Sequence, residues 1–394
     1  MKVALVASSY VPHAGGLQRQ VDELARGLTR RGTEVDVLVQ GAGRGMPRIA
    51  KREGVVVRRF PTVVRPGRFA AVPGLSERLR RTASEFDLAD VHTAHGPLAL
   101  MVARAGFRRF VFTPDAPLQR LVHWPYARAT RVVVDAAAQI VCRSHVDADL
   151  LATTFPWAAD RICVVPAGVD AEAIRAASPF AHPGRVLLAI GPLERRERVD
   201  RAIAAMASLD PEHRLVIVGD GPSRHRLRAY AADLRVSSRV RFVGSVPDGD
   251  RYRWLRTGRV LVALAEHQSS GLHITEALTA GGVVVASDTP VHREAAADVD
   301  GSRVIFVSPE GSPLEVADAI SEAAGLGLRP ATQEWHLPVA SLDSLVDRTL
   351  ELYEGLVSGS RQAAGERDGG TPPAPVQIRG AAHPLDAPDL TVHG

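Results

Sequence analysis

The chain has 394 residues, 45% of them hydrophobic and 23% charged. That balance supplies apolar material for two cores and excludes a disordered or fibrous protein. Net charge is +4 but uneven: residues 1–80 hold 15 Lys+Arg against 6 Asp+Glu, a balance of +9, which leaves −5 for the remainder.

A basic first segment suits an anionic membrane surface, a phosphorylated ligand or an Arg-rich solvated face. No nucleic-acid-binding motif or aromatic platform accompanies it, so nucleic acid is not an expected partner. The two cysteines, Cys142 and Cys163, sit in apolar strand-like runs and read as buried reduced thiols. No Cys/His spacing resembles a zinc site. No apolar stretch is long enough to span a bilayer. The start, Met1–Ala7, runs directly into Ser8-Ser9 and reads as a strand rather than a signal peptide. A cytoplasmic protein is expected, with a peripheral contact at the inner membrane face left open.

In chain order, the pattern alternates short apolar runs with helical periods, the mark of parallel βαβ units. Lys2–Ala7 is the first strand. After a glycine-containing loop comes a helix whose Leu17, Val21, Leu24 and Leu28 share one face, closed by Gly32 and followed by a strand at Glu34–Val39. Further strands are expected at Val55–Arg59, Ala89–His92, Phe110–Thr113, Gln139–Cys142 and Ile162–Val165. The Pro/Gly-bearing stretch Ser178–Gly184 reads as a linker.

The alternation then restarts, with strands at Val186–Ile190, Leu215–Val218, Val240–Val243, Val260–Ala263 and Val283–Ala286. Helices are expected at Asp200–Ser208, Arg224–Leu234 and Leu272–Ala280. Two βα series imply two doubly wound domains facing across a cleft, over residues 1–178 and 179–340. A last helix is expected at Leu342–Val357, and residues 358–394, rich in Pro, Gly and Ala, are expected to be disordered.

Several loops share one wording. Val11-Pro12-His13-Ala14-Gly15-Gly16 precedes the first helix, and Val165-Pro166-Ala167-Gly168-Val169-Asp170 closes the first half. Later come Ile190-Gly191-Pro192-Leu193, Val218-Gly219-Asp220-Gly221-Pro222, Val243-Gly244, Ser270-Gly271-Leu272 with Glu276, and Gly281–Asp288. In this order the chain, over roughly residues 1–355, resembles the retaining glycosyltransferases of family 4. The resemblance implies the GT-B fold: two Rossmann-like α/β domains, the acceptor mainly on the first and the nucleotide-sugar mainly on the second. It also implies that the final helix crosses back to the first domain.

The resemblance assigns roles. Gly15 and Gly16 let backbone N–H groups approach the donor, at a helix start that favours an anion; a tight strand-to-helix turn is the other reading. Gly271 and Leu272 open a helix whose free N–H groups suit a diphosphate. Glu276 matches the carboxylate that accepts from the ribose hydroxyls, or is a helix residue favoured by the dipole. Gly219, Gly221 and Gly244 border the nucleotide. His92 and His95 end a cleft-facing strand, as acceptor-binding or structural histidines.

The chain also departs from that family at four places. The usual Arg and Lys that neutralise the leaving diphosphate fall on Pro192 and Glu197, so Arg195 or Arg196 is the expected replacement. The first of two spaced glutamates falls on Gln268, which can hydrogen-bond sugar hydroxyls but not ionise. Thr113-Pro114-Asp115 stands where relatives carry Thr-Pro-His. The Gly-Phe-Gly after the first glutamate reads Ser269-Ser270-Gly271. Asp115 and Gln268 are thus the candidate catalytic side chains.

The function implied is transfer of a sugar from a nucleotide-sugar to a glycan, lipid or small-molecule acceptor, with retention and without metal or cofactor. A homologue that binds such ligands or a partner without turnover is the alternative. A dehydrogenase is disfavoured because the first loop lacks the GxGxxG spacing.

Overall fold

The computed structural model describes residues 1–11, 16–40, 47–60, 73–93, 96–114, 118, 126–182, 185–268, 270–297, 303–326 and 340–365. They form two α/β units, each built on a mostly parallel sheet. The first sheet contains β1 (Lys2–Ala7), β2 (Glu34–Gln40), β3 (Ile49–Arg52), β4 (Val55–Phe60), β5 (Leu88–Thr93), β6 (Phe110–Pro114), β7 (Gln139–Cys142) and β8 (Ile162–Val164). Its order is β3-β4-β2-β1-β5-β6-β7-β8. Every pair is parallel except β3 with β4, an edge hairpin that the sequence pattern did not disclose because Ile49–Arg52 is largely exposed.

The second sheet contains β9 (Arg185–Ile190), β10 (His213–Val218), β11 (Val240–Gly244), β12 (Val260–Ala263), β13 (Val283–Ser287) and β14 (Val304–Val307). Its order, β11-β10-β9-β12-β13-β14, reverses direction at β9. The first sheet reverses at β1. In such sheets the ligand crevice lies beyond the strand carboxyl ends at these reversal points.

Period-2 alternation explains why the central strands read as unbroken apolar runs. On β1, Val3, Leu5 and Ala7 face a core shared with Val21, Leu24 and Leu28 of the Gly16–Arg30 helix. Ala4 and Val6 face the opposite core, with Leu79, Val91 and Leu98. On β9, Leu187 and Ala189 pack with Ile203 and Ile217, while Val186 and Leu188 pack with Trp254 and Ile274.

Two boundaries differ from expectation. The Ala171–Ala176 helix buries Ile174 in the core of the second sheet, so a division at residue 178 falls after an element that packs with the second unit. The last helix runs Leu342–Gly365, beyond the expected end at Val357. Its Leu345, Val346 and Tyr353 are buried against the first sheet. The Tyr353 hydroxyl donates to Asp90 Oδ2 at 2.5 Å, and Thr113 Oγ1 donates to Asp90 Oδ1 at 2.8 Å.

That helix fits only because residue 27 lacks a side chain. A Cβ on Gly27 would lie 2.4 Å from Val346 Cγ2. Gly→Ala inside a helix ordinarily stabilises by roughly 0.5–1 kcal/mol. Here Gly27→Ala is expected to destabilise by about 1–2 kcal/mol through overpacking. In a Val346→Ala background the sign should return to stabilising. Urea unfolding of the four-member cycle checks this, and additive effects would refute the contact.

Candidate active site

A cavity of about 690 Å³ lies between the two units. Gly16, Arg19 and Glu23 of the first helix line one wall. Gly191-Pro192 after β9, Gly219-Asp220 after β10 and Ser245–Asp248 after β11 line the other. The volume suits a ligand of nucleotide-sugar class.

At one side of this cavity two helices are clamped together by a buried ion pair. Arg251, on the Asp248–Thr257 helix, forks onto both oxygens of Glu276, on the Leu272–Thr279 helix; Nη1 to Oε1 is 2.6 Å. Both residues are about 5% exposed. Burial alone would raise the Glu276 pKa, but the charge and hydrogen bonds of Arg251, with the charge of Arg19, carry it below the ordinary carboxylate value. Arg19 reaches across from the first unit, 3.3 Å from Asp248 Oδ1 and 4.0 Å from Glu276 Oε1. Each Glu276 oxygen has further lone-pair capacity, so the fork does not preclude a ribose diol.

Glu23 lies one helical turn beyond Arg19. Burial pushes its pKa up, Arg19 pulls it down, and the neighbouring Asp248 and Glu276 push it up again, to about 7. Glu23 is therefore a carboxyl poised to exchange a proton near neutrality, facing a cavity.

The departures at 197 and 268 prove to be one contact. Gln268 Nε2 donates to Glu197 Oε2 at 3.0 Å. With Gly191, Pro192 and His273 they line a second cavity of about 20 Å³ at the ends of β9 and β12, room for one water. Burial raises the Glu197 pKa against the pull of Arg196 and the Gln268 hydrogen bond. Of the expected replacement cations, Arg196 donates to Glu194 at 2.8 Å and lies 3.5 Å from Glu197, while Arg195 is exposed. Neither lines the larger cavity.

The glycines divide by cause. At Gly219, with φ +140°, a Cβ would sit 1.9 Å from the Gly191 carbonyl oxygen. At Gly271, with φ +55°, it would sit 2.6 Å from Ala295 Cβ. Packing alone demands glycine at both, whatever they also do for a ligand. Gly244 accepts the Gly219 N–H at 2.9 Å, and Gly221 backs onto the Leu193 main chain. Leu272 is half-buried at the start of its helix. Gly16 differs: nothing lies within 4 Å of where its Cβ would be, and it borders the cavity.

His92 requires a correction. Its side chain is 1% exposed, with Nε2 3.1 Å from Asp90 Oδ2, in the same buried network as Thr113 and Tyr353. That position joins the last helix to the first sheet and offers no surface to an acceptor. Gly15, His95, Asp115 and Ser269 lie outside the described residues.

Sequence reasoning missed Arg19, Glu23, Asp248 and Arg251. Arg19 and Glu23 are four residues apart on one helix face, a visible spacing; nothing in the linear pattern joins Arg251 to Glu276.

Two facing Rossmann-like units with a cavity between them are the GT-B fold. Residues 14–173 match the family described as Glycosyltransferase Family 4, and residues 170–325 match Glycosyl transferases group 1. Together the two matches span residues 14–325, and the chain belongs to the glycosyltransferases that they describe. It is 28% identical to D-inositol 3-phosphate glycosyltransferase 1 of Catenulispora acidiphila, over 88% of this chain and 92% of that one. It is 29% identical to the GDP-mannose-dependent alpha-(1-6)-phosphatidylinositol dimannoside mannosyltransferase of Mycobacterium tuberculosis, over 73% of this chain and 80% of that one. Among solved structures, Anabaena HepE in complex with UDP-glucose superposes with a TM-score of 0.65 at 19% identity, covering 93% of this chain and 98% of that one. No described helix is long and apolar enough to cross a membrane.

Glu276→Gln should cost on the order of 3 kcal/mol by leaving Arg251 buried without its counter-charge. Because the folded Glu276 pKa is lowered, the pair's contribution is complete above the unfolded value of 4.5 and is lost as pH falls through the folded one. The double variant Arg251→Met/Glu276→Leu should regain most of the stability but not nucleotide binding. Denaturant melts paired with calorimetry of nucleotide binding check both.

Glu23 behaves oppositely. Its pKa rises from 4.5 to about 7 on folding, so stability declines as pH rises through that window. Ionisation costs the fold up to about 3 kcal/mol, at about 1.4 kcal/mol per pK unit. Glu23→Gln should therefore raise the melting temperature at pH 8 and leave it unchanged at pH 4. Equal shifts at both pH values would contradict this assignment.

Proposed function

We propose that the 690 Å³ cavity holds the nucleotide-sugar donor, with base and ribose against the second unit and the diphosphate toward the first helix. The carrying observation is that open Gly16 and the cation Arg19 face the Gly219-Asp220 and Ser245–Asp248 loops across one space. Glu276 holds the ribose hydroxyls through lone pairs left by the Arg251 fork. Glu197 and Gln268, bonded to each other around a cavity the size of one water, shape the wall behind Gly191-Pro192, and no cation of that loop lines the donor cavity. No cofactor is assigned. The diphosphate leaves on the same face that the acceptor enters.

The acceptor is read as a polyhydroxylated ring bearing a phosphate or phosphodiester. D-Inositol 3-phosphate and phosphatidylinositol dimannoside appear in the names of the relatives, and 2-deoxystreptamine, another cyclitol, in that of a Streptomyces kanamyceticus glucosyltransferase 27% identical over 68% of this chain. The +9 balance of residues 1–80 supplies charge for such an acceptor, and for a peripheral contact with an anionic membrane on the cytoplasmic side.

The test incubates the protein with UDP-, GDP- and ADP-sugars, with and without inositol 3-phosphate, and measures released nucleoside diphosphate and the anomeric configuration of the product. Turnover that rises at least tenfold with the cyclitol phosphate is expected. Tight nucleotide binding with no release across the panel would instead identify a binding homologue. No binding of any nucleotide would overturn both.

A further inference from the structure

The large cavity has an unusual charge inventory. Its described lining contains the cations Arg19, Arg26, Arg52 and Arg251. Arg26 lies 3.2 Å from Asp22 and 3.4 Å from Glu53. Arg52 is 3.9 Å from each of the same two carboxylates. Arg251 is spent on Glu276 through both terminal nitrogens.

Of the four, Arg19 is the one whose partners lie on the opposite unit, and it makes a single hydrogen bond there. Its contact with Asp248 is 3.3 Å, to a carboxylate 46% exposed and free to turn to water. Its other neighbour, Glu276, is 4.0 Å away and already forked. In the loop after β9, residue 192 is proline, the side chain at 197 is a carboxyl bonded to Gln268, and Arg195, Arg196 and Arg198 do not line the large cavity. Arg19 springs from a helix whose first turn has no acidic residue and opens on the uncrowded Gly16.

We propose that Arg19 is the residue that binds the donor diphosphate, supplied from the first unit in place of a cation on the second. The inference rests on the reading that this cavity holds the nucleotide-sugar. A guanidinium presents two parallel N–H donors that match two phosphate oxygens, and it stays charged throughout the working pH range. On binding, the fork exchanges Asp248 for phosphate while the ribose takes lone pairs of Glu276 beside it. The adjacent carboxyls tolerate this. Asp22 is engaged by Tyr10 and Arg26, Asp220 by Arg224 and the Gly221 N–H, and burial keeps Glu23 partly protonated near neutrality.

One consequence follows from the position of Arg19 on the opposite unit. A diphosphate bridged by Arg19 holds the two units together, whereas a nucleoside lacks the group that does so. Affinity should therefore depend on the phosphates through a residue of the acceptor side.

The experiment is calorimetry of the full chain with UDP, GDP and ADP against uridine, guanosine and adenosine, for wild type, Arg19→Ala, Arg19→Gln and Arg19→Lys. For whichever base is preferred, Arg19→Ala and Arg19→Gln should weaken the diphosphate by about 10- to 100-fold, the range for a lost charged hydrogen bond. Nucleoside affinity should stay within about twofold, and Arg19→Lys should recover part of the loss. Equal weakening of nucleoside and diphosphate would make Arg19 a structural wedge and overturn the proposal. So would a diphosphate preference that survives in Arg19→Ala but vanishes in Arg195→Ala/Arg196→Ala. Wild-type protein that binds no nucleotide would sink the donor-site reading itself, a different result from wild-type binding that Arg19→Ala leaves intact. Circular dichroism melts of each variant separate misfolding from lost contacts.

Discussion

The buried fork between Arg251 and Glu276 is the interaction around which the cleft is arranged. Two desolvated charges are tolerable only when each satisfies the other, so the helices that carry them must sit at one fixed spacing. That spacing sets where Asp248 begins its helix and where Gly271 turns the chain into the next. It also buries a carboxylate with unused lone pairs behind Arg251, which lines the cavity. Arg19 and Glu23 of the opposite unit meet this cluster, and their electrostatics are tuned by it. Glu294 makes a second bridge, accepting the N–H groups of His145 and Val146 at 2.6 and 3.0 Å. The cleft is thus spanned by carboxylates on one unit that meet donors on the other.

The first unit depends on a separate polar knot. Asp90 receives Thr113 and Tyr353 and neighbours His92, all buried. A carboxylate in a core costs several kcal/mol unless its lone pairs are filled. Here the last helix supplies one of the donors, so its docking and the ionisation of Asp90 support each other. This explains why a cleft-directed strand carries histidine and aspartate that take no part in a surface.

The substitutions at 192, 197 and 268 make physical sense together. A carboxyl at 197 beside a glutamate at 268 would place like charges in one small cavity; an amide there converts repulsion into a hydrogen bond. The glycosyl transfer scaffold is kept, while the electrostatic work on the leaving group moves elsewhere in the cleft. The open wall at Gly16 and Arg19 is where the structure has room and charge for it.

The sequence by itself determined the two parallel sheets, because strands buried on both faces must be continuously apolar and crossover helices must be amphipathic at a 3.6-residue period. It also determined the ordered glycine loops at the strand ends, and hence the family. Tertiary structure decided the rest. It showed that Gly219 and Gly271 are glycine for packing reasons, since a clash with a carbonyl or with Ala295 appears only once distant segments meet. It moved His92 from the cleft to a core, and lengthened the last helix past Val357. The pairings of Arg251 with Glu276, Glu197 with Gln268 and Arg19 with Asp248 join residues 25, 71 and 229 positions apart. Local propensity and periodicity act over a few residues, so charges that meet only through folding leave no trace in the linear pattern.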